Sequence, residues 1–356
     1  MKPEAFIILT PGFAANEDDS TCIPSQQIFL RSLKQQFPRL NVIILSFQYP
    51  FIAKEYSWNG CRVITLGGKE RSKLFRLLTW QKAWRKLKLL HKQYEITGML
   101  SFWCGECAFI GKRFGNKYSI LHKCWLQGQD AKKDNKYVKR IKPKPEEIIA
   151  LSDFLAIQFY QNYSVSPANT ITIGIDPDFF INTNLERTID IIGVGSLIPL
   201  KQYAVFIDRI KHLKNDHPDI KTMIVGKGPE EKKLQLLIKE NGLQNNIILT
   251  GELPHTDVLQ LMQRSKILLH TSAYEGFGAV CIEALYAGCK VVSFIRPMKQ
   301  DIKNWHTVNT DEEMMGILAA ILKSGSVNNV PVIPFLMADS VKQMMQLFNY
   351  KEAATS

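Results

Sequence analysis

Short apolar segments alternate with amphipathic segments along this chain, and the alternation starts a second time near its middle. The strand-like segments of the first run are residues 5–10, 41–47, 98–103, 119–126 and 154–159. Those of the second run are residues 188–195, 220–226, 246–251, 266–271 and 290–294. Continuous apolar strands that alternate with helices are typical of parallel sheets covered on both faces. The pattern therefore predicts an α/β fold with two doubly wound, Rossmann-like domains.

Helix-like segments and a polar join set the predicted domain limits. Helical patterns cover residues 24–36, 72–93, 105–115, 201–215, 230–241, 255–264, 279–287, 310–323 and 338–349. The segment DPDFFINTNLER at 176–187 is polar and lacks periodicity, as expected for a join. The predicted parts are a basic N-terminal domain at 1–180, a C-terminal domain at 181–335 and a C-terminal helix at 336–356 that can return to the N-terminal domain.

Composition and short motifs exclude several classes of protein. The chain has no apolar run of about 18 residues, and its start, MKPEAFIILTPGF, does not resemble a signal peptide. Seven irregularly spaced cysteines favour free thiols in a reducing compartment, so we expect a cytoplasmic chain. Cys104 and Cys107 form a C-x-x-C that lacks the second pair of a zinc site, and Asp176 with Asp178 forms a D-x-D inside the join. We expect no metal and no nucleic-acid partner.

The positive charge lies in the first half of the chain. The first 180 residues contain 26 Lys and Arg against 15 Asp and Glu, whereas the rest contain 19 against 18. The charge concentrates in residues 69–92 and 131–145. In the first of these segments leucines recur at helical spacing between basic residues: Leu74, Leu77, Leu78, Leu87 and Leu90, with Trp84. Two interpretations stay open, a solvated helix packed on its own domain or a helix whose cations contact anionic lipid or an anionic acceptor.

The segment TSAYEGFGAVCIEALYAGCKVVSF, residues 271–294, places two glutamates around a glycine turn. Glu275 lies in the loop after a predicted strand, and Glu283 lies about a turn and a half into the next helix. Gly276 and Gly278 let the backbone approach a ligand, and the first free N–H groups of the helix favour a phosphate. Carboxylates that accept hydroxyl hydrogen bonds beside such a turn indicate a nucleotide sugar. The simpler alternative is an acid at a helix start and an exposed helical Glu.

Two more glycine turns follow strands of the same predicted sheet. VGKGP covers residues 225–229, and VGSLIPLKQY covers 194–203 and brings Lys201 to a helix start, where it could reach a diphosphate. Ligands of open parallel sheets bind beyond the carboxyl ends of the strands. The three turns therefore converge on one predicted crevice.

These motifs, together with LTGELPHTDVLQLMQRSKILLH at 249–270 and ITIGIDPDFF at 171–180, resemble the retaining glycosyltransferases of family 4. The resemblance is good over roughly residues 150–294 and thinner before them. It implies the GT-B architecture, in which two Rossmann-like domains face a central cleft, and a hexosyltransferase-like enzyme that needs neither metal nor cofactor. The implied reaction moves a sugar, with retention, from a nucleotide sugar to a glycan or lipid-linked acceptor in surface polysaccharide or lipopolysaccharide synthesis. Such an enzyme would work at the inner face of the cytoplasmic membrane, in peripheral contact with anionic lipid.

The resemblance also implies roles for individual residues. Glu275 and Lys201 would be catalytic, the first near the reacting carbon of the donor sugar and the second at the departing diphosphate. Glu283 would bind the ribose hydroxyls. The other implied donor-binding residues are Gly195, Ser196, Gly226, Gly228, Pro229, Gly251, Leu253, Gly276, Phe277 and Gly278. On the acceptor side the resemblance implies Gln127 and Asp130, and Gly12 is added because it lies in the loop after the first predicted strand, where it would face the cleft.

The chain departs from the family pattern at two positions. Ser196 stands where the family usually has an Arg that partners the Lys, and Gln127 stands where it usually has a His. Neither side chain carries a charge, so stabilisation of the leaving group must depend on Lys201 and on a second, unidentified cation. Two outcomes stay open, an enzyme with a modified site or a GT-B scaffold that binds nucleotide sugar or glycan without turnover.

Overall fold

The computed structural model describes residues 2–71, 73–180, 185–324 and 330–350. It divides the chain into two units. The first comprises Met1–Ile173 and Met337–Ser356, and the second comprises Gly174–Leu336. The chain passes from the first unit to the second between Ile173 and Gly174, ahead of the boundary at residue 180 that the sequence suggested.

An eight-stranded sheet lies at the centre of the first unit. Its strands are β1 (Glu4–Gly12), β2 (Asn41–Tyr49), β3 (Glu55–Trp58), β4 (Cys61–Thr65), β5 (Glu95–Phe102), β6 (His122–Trp125), β7 (Ile148–Ala150) and β8 (Asn169–Thr170). Their spatial order is β3-β4-β2-β1-β5-β6-β7-β8, and only the pair β3 and β4 is antiparallel. The central strands β1 and β2 are buried along most of their length, as their continuous apolar runs predicted. Strands β3, β4, β7 and β8 were not predicted.

Five α-helices lie in the described part of the first 173 residues. They are α1 (Pro24–Gln36), α2 (Lys73–Gln93), α3 (Glu106–Tyr118), α4 (Lys136–Ile141) and α5 (Asp153–Tyr163). Side chains of α2 and α3 form one buried apolar cluster with those of β1, β2, β4 and β5. Burial of this cluster holds the helices on the sheet.

Residues 154–159 are helical, so their prediction as a strand is wrong. They lie inside α5, whose first turn is capped by Ser152, because the Leu155 N–H donates to Ser152 Oγ at 3.0 Å. The buried side chains of α5 are Leu155 and Phe159, four residues apart. That is the spacing of one helix face, whereas a strand would bury alternate residues.

Helix α2 directs fewer leucines inward than the sequence pattern suggested. Leu87 and Leu90 are buried, but Leu77 and Leu78 are exposed. Nine residues at about 100° each place Leu78 on the opposite side of the helix from Leu87. The side chain of Leu74 lies outside the described residues.

The outer face of α2 carries a stripe of exposed side chains three or four residues apart. We call it the outward stripe; its members are Phe75, Leu78, Lys82, Arg85, Leu89 and Lys92. It places three apolar and three basic side chains on one helix face. Among the described residues, no helix is both long enough and apolar enough to cross a bilayer.

A six-stranded sheet lies at the centre of the second unit. Its strands are β9 (Ile189–Val194), β10 (Thr222–Val225), β11 (Ile247–Gly251), β12 (Ser265–His270), β13 (Lys290–Ser293) and β14 (Trp305–Thr307). All neighbouring strands are parallel. The helices are α6 (Tyr203–Leu213), α7 (Glu231–Glu240), α8 (His255–Gln263), α9 (Ala279–Tyr286) and α10 (Asp311–Lys323). The prediction of two doubly wound sheets is confirmed, although β14 was missed.

The order of strands in the second sheet reverses at β9. The spatial order is β11-β10-β9-β12-β13-β14, so the chain builds outward from β9 to β11 and then returns to the other side of β9 with β12. Ligands of such sheets bind beyond the carboxyl ends of the strands where the order reverses. The loops after β9, β10 and β12 therefore lie where a ligand site is expected.

Helix α11 (Met337–Gln346) returns to the first unit. It packs on α1, and Gln36 Nε2 donates to the Ala338 carbonyl at 3.2 Å. Beyond the helix, the Phe348 ring meets the Phe6 ring edge-on, with centroids 4.8 Å apart. The apolar interior of the first unit is thus completed by a segment that follows the second unit in the sequence.

Candidate functional site

The glycine turns after β9 and β10 are in direct backbone contact. Gly226 has φ +142°, and a Cβ on it would lie 2.0 Å from the Gly195 carbonyl oxygen. A Cβ on Gly228 would lie 2.4 Å from the Leu197 carbonyl oxygen. The Leu197 N–H also donates to the Lys227 carbonyl at 2.9 Å. Only glycine fits at 226 and 228 without moving the neighbouring turn.

The remaining predicted donor residues lie along the same edge of the sheet. The Gly226 N–H donates to the Gly251 carbonyl at 2.9 Å, which brings the end of β11 to these turns. The side chains of Ser196 and Pro229 are exposed, and that of Leu253 is partly buried. The structure therefore brings Gly195, Gly226 and Gly251 together, while the donor-binding roles stay predictions.

Lys201 and Glu275, which are 74 residues apart in sequence, form an ion pair. Lys201 Nζ lies 2.6 Å from Glu275 Oε2, with 18% and 26% of the two side chains exposed. The backbone holds the pair in place, because Thr271 Oγ1 donates to the Lys201 carbonyl at 2.8 Å and the Ala273 N–H donates to the Leu200 carbonyl at 3.0 Å. The two predicted catalytic residues thus contact each other at the edge where the strand order reverses.

His270, at the end of β12, is a buried neighbour of this pair that sequence reasoning missed. Its Nε2 lies 3.8 Å from Glu275 Oε2 and 3.3 Å from Ser272 Oγ. Burial, and then the charge of Lys201, lower the pKa of His270 to about 3. The ring is therefore neutral near pH 7, and its contact with Glu275 is not an ion pair.

Glu283 contacts a second histidine that sequence reasoning missed. His255 Nε2 lies 2.9 Å from Glu283 Oε1, and only 11% and 13% of the two side chains are exposed. Burial acts to lower the pKa of His255, but the hydrogen bond to Glu283 and its negative charge outweigh burial and raise it. The only sequence signal was a His at the start of a helix-like segment, in LPHTDV.

The turn at residues 276–278, directly before α9, offers backbone groups and no large accessible side chain. Gly278 is the N-cap of α9 with φ +85°. Phe277 is buried, and its ring packs against that of Phe335 at 5.8 Å. Of the turn, only its backbone could contact a ligand, as the resemblance implies for Gly276, Phe277 and Gly278. The helix that follows directs its positive dipole end toward this turn.

The predicted acceptor-side residues have internal contacts in the first unit. Gln127 and Asp130 are buried; the Gln127 N–H donates to Asp130 Oδ2 at 2.8 Å, and Gln26 Nε2 donates to Gln127 Oε1 at 3.0 Å. Burial raises the pKa of Asp130 to about 7, against the lowering effect of backbone hydrogen bonds. Gly12 ends β1, where the next N–H, of Phe13, donates to the Tyr49 carbonyl at 3.1 Å. Their acceptor roles stay predictions.

The C-x-x-C segment contains a buried carboxylate that sequence reasoning missed. Cys104 and Cys107 are buried free thiols. Between them Glu106 accepts hydrogen bonds from Gln48 Nε2 at 2.5 Å and from Trp80 Nε1 at 2.6 Å. Within the described ranges, no group of three or more His, Cys, Asp or Glu is arranged to hold a metal ion. These contacts give the segment a structural role at the start of α3.

A known family matches most of the second unit. Residues 175–306 match the sequence model of the glycosyl transferases group 1. The matched segment is similar to that family over these residues. All three glycine turns, Lys201, Glu275 and Glu283 lie within it. The predicted resemblance to GT-B glycosyltransferases is confirmed, and membership of family 4 in particular stays a prediction.

Curated relatives match parts of the chain. An N-acetylgalactosaminyltransferase of Campylobacter jejuni, whose name places its acceptor on diphospho-undecaprenol, is 28% identical over 199 residues, which are 52% of this chain and 53% of that enzyme. The GPI3 subunit of the Saccharomyces cerevisiae phosphatidylinositol N-acetylglucosaminyltransferase is 31% identical over 102 residues, 29% of this chain and 22% of the subunit. The matches therefore span about half of the first relative and about a fifth of the second.

Solved structures share the fold over nearly the whole chain. Sucrose-phosphate synthase from Thermosynechococcus elongatus superposes with a TM-score of 0.73 at 16% identity, covering 98% of both chains. The Anabaena protein HepE, solved with UDP and glucose, superposes with a TM-score of 0.65 at 16% identity, covering 96% of this chain and 95% of HepE. At these identities the likeness shows the GT-B fold.

Proposed function

We propose that this chain is a retaining, metal-independent glycosyltransferase of family 4 that moves a sugar from a nucleotide sugar to a glycan or lipid-linked acceptor in surface polysaccharide or lipopolysaccharide synthesis. The observation that carries the proposal is the Lys201–Glu275 ion pair beside glycine turns at the reversal of strand order. The family match and the Campylobacter jejuni relative support sugar transfer.

The site supplies the groups that this reaction needs. Negative charge builds on the diphosphate as the sugar leaves, and Lys201 with the backbone N–H groups before α9 would stabilise it. Glu275 would accept hydrogen bonds from the donor sugar, and Glu283 would accept them from the ribose hydroxyls. Since Lys201 contacts Glu275 at 2.6 Å, the incoming diphosphate must compete with that carboxylate. Donor binding thereby frees Glu275 to contact the sugar.

The test is a screen of nucleotide sugars by calorimetry, followed by an assay for free nucleotide. We expect one donor to bind and to release its nucleotide, faster with an acceptor present and equally fast with EDTA. Glu283→Ala should weaken donor binding about 10-fold or more, because the ribose hydroxyls lose a charged hydrogen-bond acceptor.

The control replaces a carboxylate that lies away from the proposed site. Glu240→Ala removes an exposed acid at the end of α7 and should leave donor affinity unchanged. Donor binding without any release of nucleotide, at any acceptor concentration, would refute the enzyme and establish the binding scaffold. Equal affinities for Glu283→Ala and wild type would refute the ribose role.

The outward stripe is the part of the first unit that we assign to a membrane surface. Its Lys82, Arg85 and Lys92 would attract anionic headgroups, and its Phe75 and Leu78 would enter the interface. Each basic residue near an anionic surface contributes about 1 kcal/mol. Such binding would support the proposed location at the inner face of the cytoplasmic membrane, next to a lipid-linked acceptor.

We expect the protein to sediment with vesicles that contain anionic lipid but not with neutral vesicles. Binding should disappear at about 0.5 M salt, because screening then acts over a few ångströms. The triple variant Lys82→Gln, Arg85→Gln and Lys92→Gln should lose it at low salt. Lys86 is left unchanged because it pairs with Glu55 at 2.5 Å.

A matched triple variant removes the same charge from the second unit. Lys211 on α6 and Lys232 and Lys239 on α7 are exposed, and their replacement by Gln should preserve vesicle binding. If both triple variants bind vesicles as wild type does, the stripe is only a solvated helix face. If both lose binding, net charge alone is responsible.

A further inference from the structure

The charged side chains of the candidate donor site form two pairs. The net charge of the site therefore depends on whether His255 is protonated. The charges of Lys201 and Glu275 cancel, because Lys201 Nζ lies 2.6 Å from Glu275 Oε2. Glu283 has His255 as its partner at 2.9 Å, and both are nearly buried. The net charge of these four groups is −1 when the imidazole is neutral and zero when it is protonated.

An anionic ligand is sensitive to that difference. The same charged groups lie around the buried Cys281 thiol: burial, and then the charge of Glu275, raise the pKa of this thiol well above its ordinary value, while Lys201 lowers it and Glu283 raises it. The resemblance implies a second cation for the diphosphate, but Ser196 is uncharged, and Lys227 on the neighbouring turn pairs with Glu252. His255 is the titratable group that can reduce the negative charge here.

We propose that His255 is a positioning residue of the nucleotide site, which holds the Glu283 carboxylate toward the ribose and, when protonated, cancels its charge so that the anionic nucleotide sugar binds more tightly. This inference rests on the proposed function. In the family pattern an Arg at position 196 would contact the diphosphate. Here the protonated ring of His255 would instead cancel the charge of Glu283, which would otherwise repel the diphosphate. Affinity for the donor then rises as pH falls.

Glu283 contacts the imidazole directly, at 2.9 Å, and further titratable groups lie on the elements packed around it. Helix α8, which carries His255, packs against α9, β9 and β12. Besides Glu283 on α9, the titratable and charged groups on these elements are Cys281, Tyr286, Asp257, Asp190, Lys266 and His270. The Phe179 ring also lies 6.2 Å from the imidazole, and Asp178 is its neighbour in the chain. Asp190 and Lys266 pair at 2.7 Å, and Asp257 lies on the same helix as His255. His270 is neutral near pH 7 because its pKa is about 3.

The pH dependence has a definite sign. The pKa of His255 in the folded chain is raised above the ordinary imidazole value of about 6.5. The stabilising pair is therefore complete below about pH 6.5 and is lost as pH rises through the folded value. By reciprocity, a ligand that binds the protonated form more tightly must raise the pKa of His255 further.

The experiment measures donor affinity and the His255 pKa in the same protein. Calorimetry with UDP-glucose, or with another donor that the screen identifies, would run from about pH 5.5 to about pH 9. A nucleotide sugar is the right probe, since free UDP has a terminal phosphate that itself titrates near pH 6. We expect affinity to rise about 5-fold toward low pH. NMR of the imidazole should show the donor raising its pKa by about 0.7.

His255→Gln is the matched variant, because its amide can still donate to Glu283 without carrying a charge. It should keep donor binding, with an affinity close to that of wild type at high pH and no dependence on pH. His255→Leu should bind more weakly at every pH, because the orienting donor is lost. An unchanged slope in His255→Gln, or a flat wild-type profile, would overturn the inference.

Failure of the proposed function gives a different result. Without any nucleotide, the NMR pKa of His255 should fall when Glu283 is replaced by Gln. If that shift is seen but no nucleotide sugar binds wild type, the pair is real and the proposed function is wrong, and the inference falls with it. If the shift is absent, the pair itself is refuted.

Discussion

Replacing Lys201 with Ala is expected to lower the rate of sugar transfer about 100-fold, the order of effect seen on losing one charge contact to a transition state. Lys201 is the cation held at the reversal of strand order by the turn before α6 and by Thr271. The loss should fall on the chemical step, because the charge of the leaving diphosphate grows there. Single-turnover assays at saturating donor would measure it.

The variant Glu275→Gln tests the role of Glu275 separately from that of Lys201. It removes the negative charge but keeps the size of the side chain, so Lys201 is left free for the diphosphate. Transfer should fall, whereas nucleotide affinity should rise, because the diphosphate no longer competes with a carboxylate for Lys201. Lys201→Met controls for the loss of side-chain volume and should behave as Lys201→Ala does. Full activity in either Lys201 variant would refute its catalytic role.

Replacing Gly226 with Ala is expected to lower the free energy of unfolding by about 3 kcal/mol or more. The new methyl group would lie 2.0 Å from the Gly195 carbonyl oxygen, and φ at this position is +142°. The turns after β9 and β10 would have to separate, so donor affinity should fall as well. Chemical denaturation, with donor titration of the folded fraction, would measure both effects.

Gly242→Ala distinguishes backbone strain from the steric clash. Gly242 has φ +63°, and a Cβ there would meet no atom within 4 Å. It should cost only about 1 kcal/mol, the penalty of a left-handed conformation for Ala, and should leave donor binding unchanged. If the two alanine variants were equally stable, the contact between the turns would not explain the glycine at 226.

The elements that could be predicted from the sequence are those with strong local patterns. The long apolar runs of β1, β2 and β12 predicted strands, because a strand that is buried on both faces of a sheet needs an apolar residue at nearly every position. Residues 154–159 were mistaken for a strand because a short apolar run fits a strand as well as a buried helix. Short strands such as β8 and β14 depend on pairing with distant neighbours, and their residues alone carry little signal.

The candidate site could be predicted only in part for a similar reason. Lys201 and Glu275 were found because each follows a strand in a glycine-rich segment, and Glu283 was found because it lies about a turn and a half into the helix after such a turn. Their partners were not predicted, since the contacts of Lys201 with Glu275 and of His255 with Glu283 join positions 74 and 28 residues apart. Folding brings those positions together, and no local spacing encodes which side chains will meet.

The return of α11 to the first unit has a consequence for how the protein is made. A ribosome synthesises the whole of Gly174–Leu336 before it reaches Phe348, whose ring packs on Phe6 and would clash with any side chain at Gly98. During that interval the apolar face of β1 and β5 lacks the part of its cover that Phe348 supplies. The first unit therefore cannot complete its fold until the second unit has been synthesised. An apolar surface that is exposed in the meantime is a site for chaperone binding or aggregation.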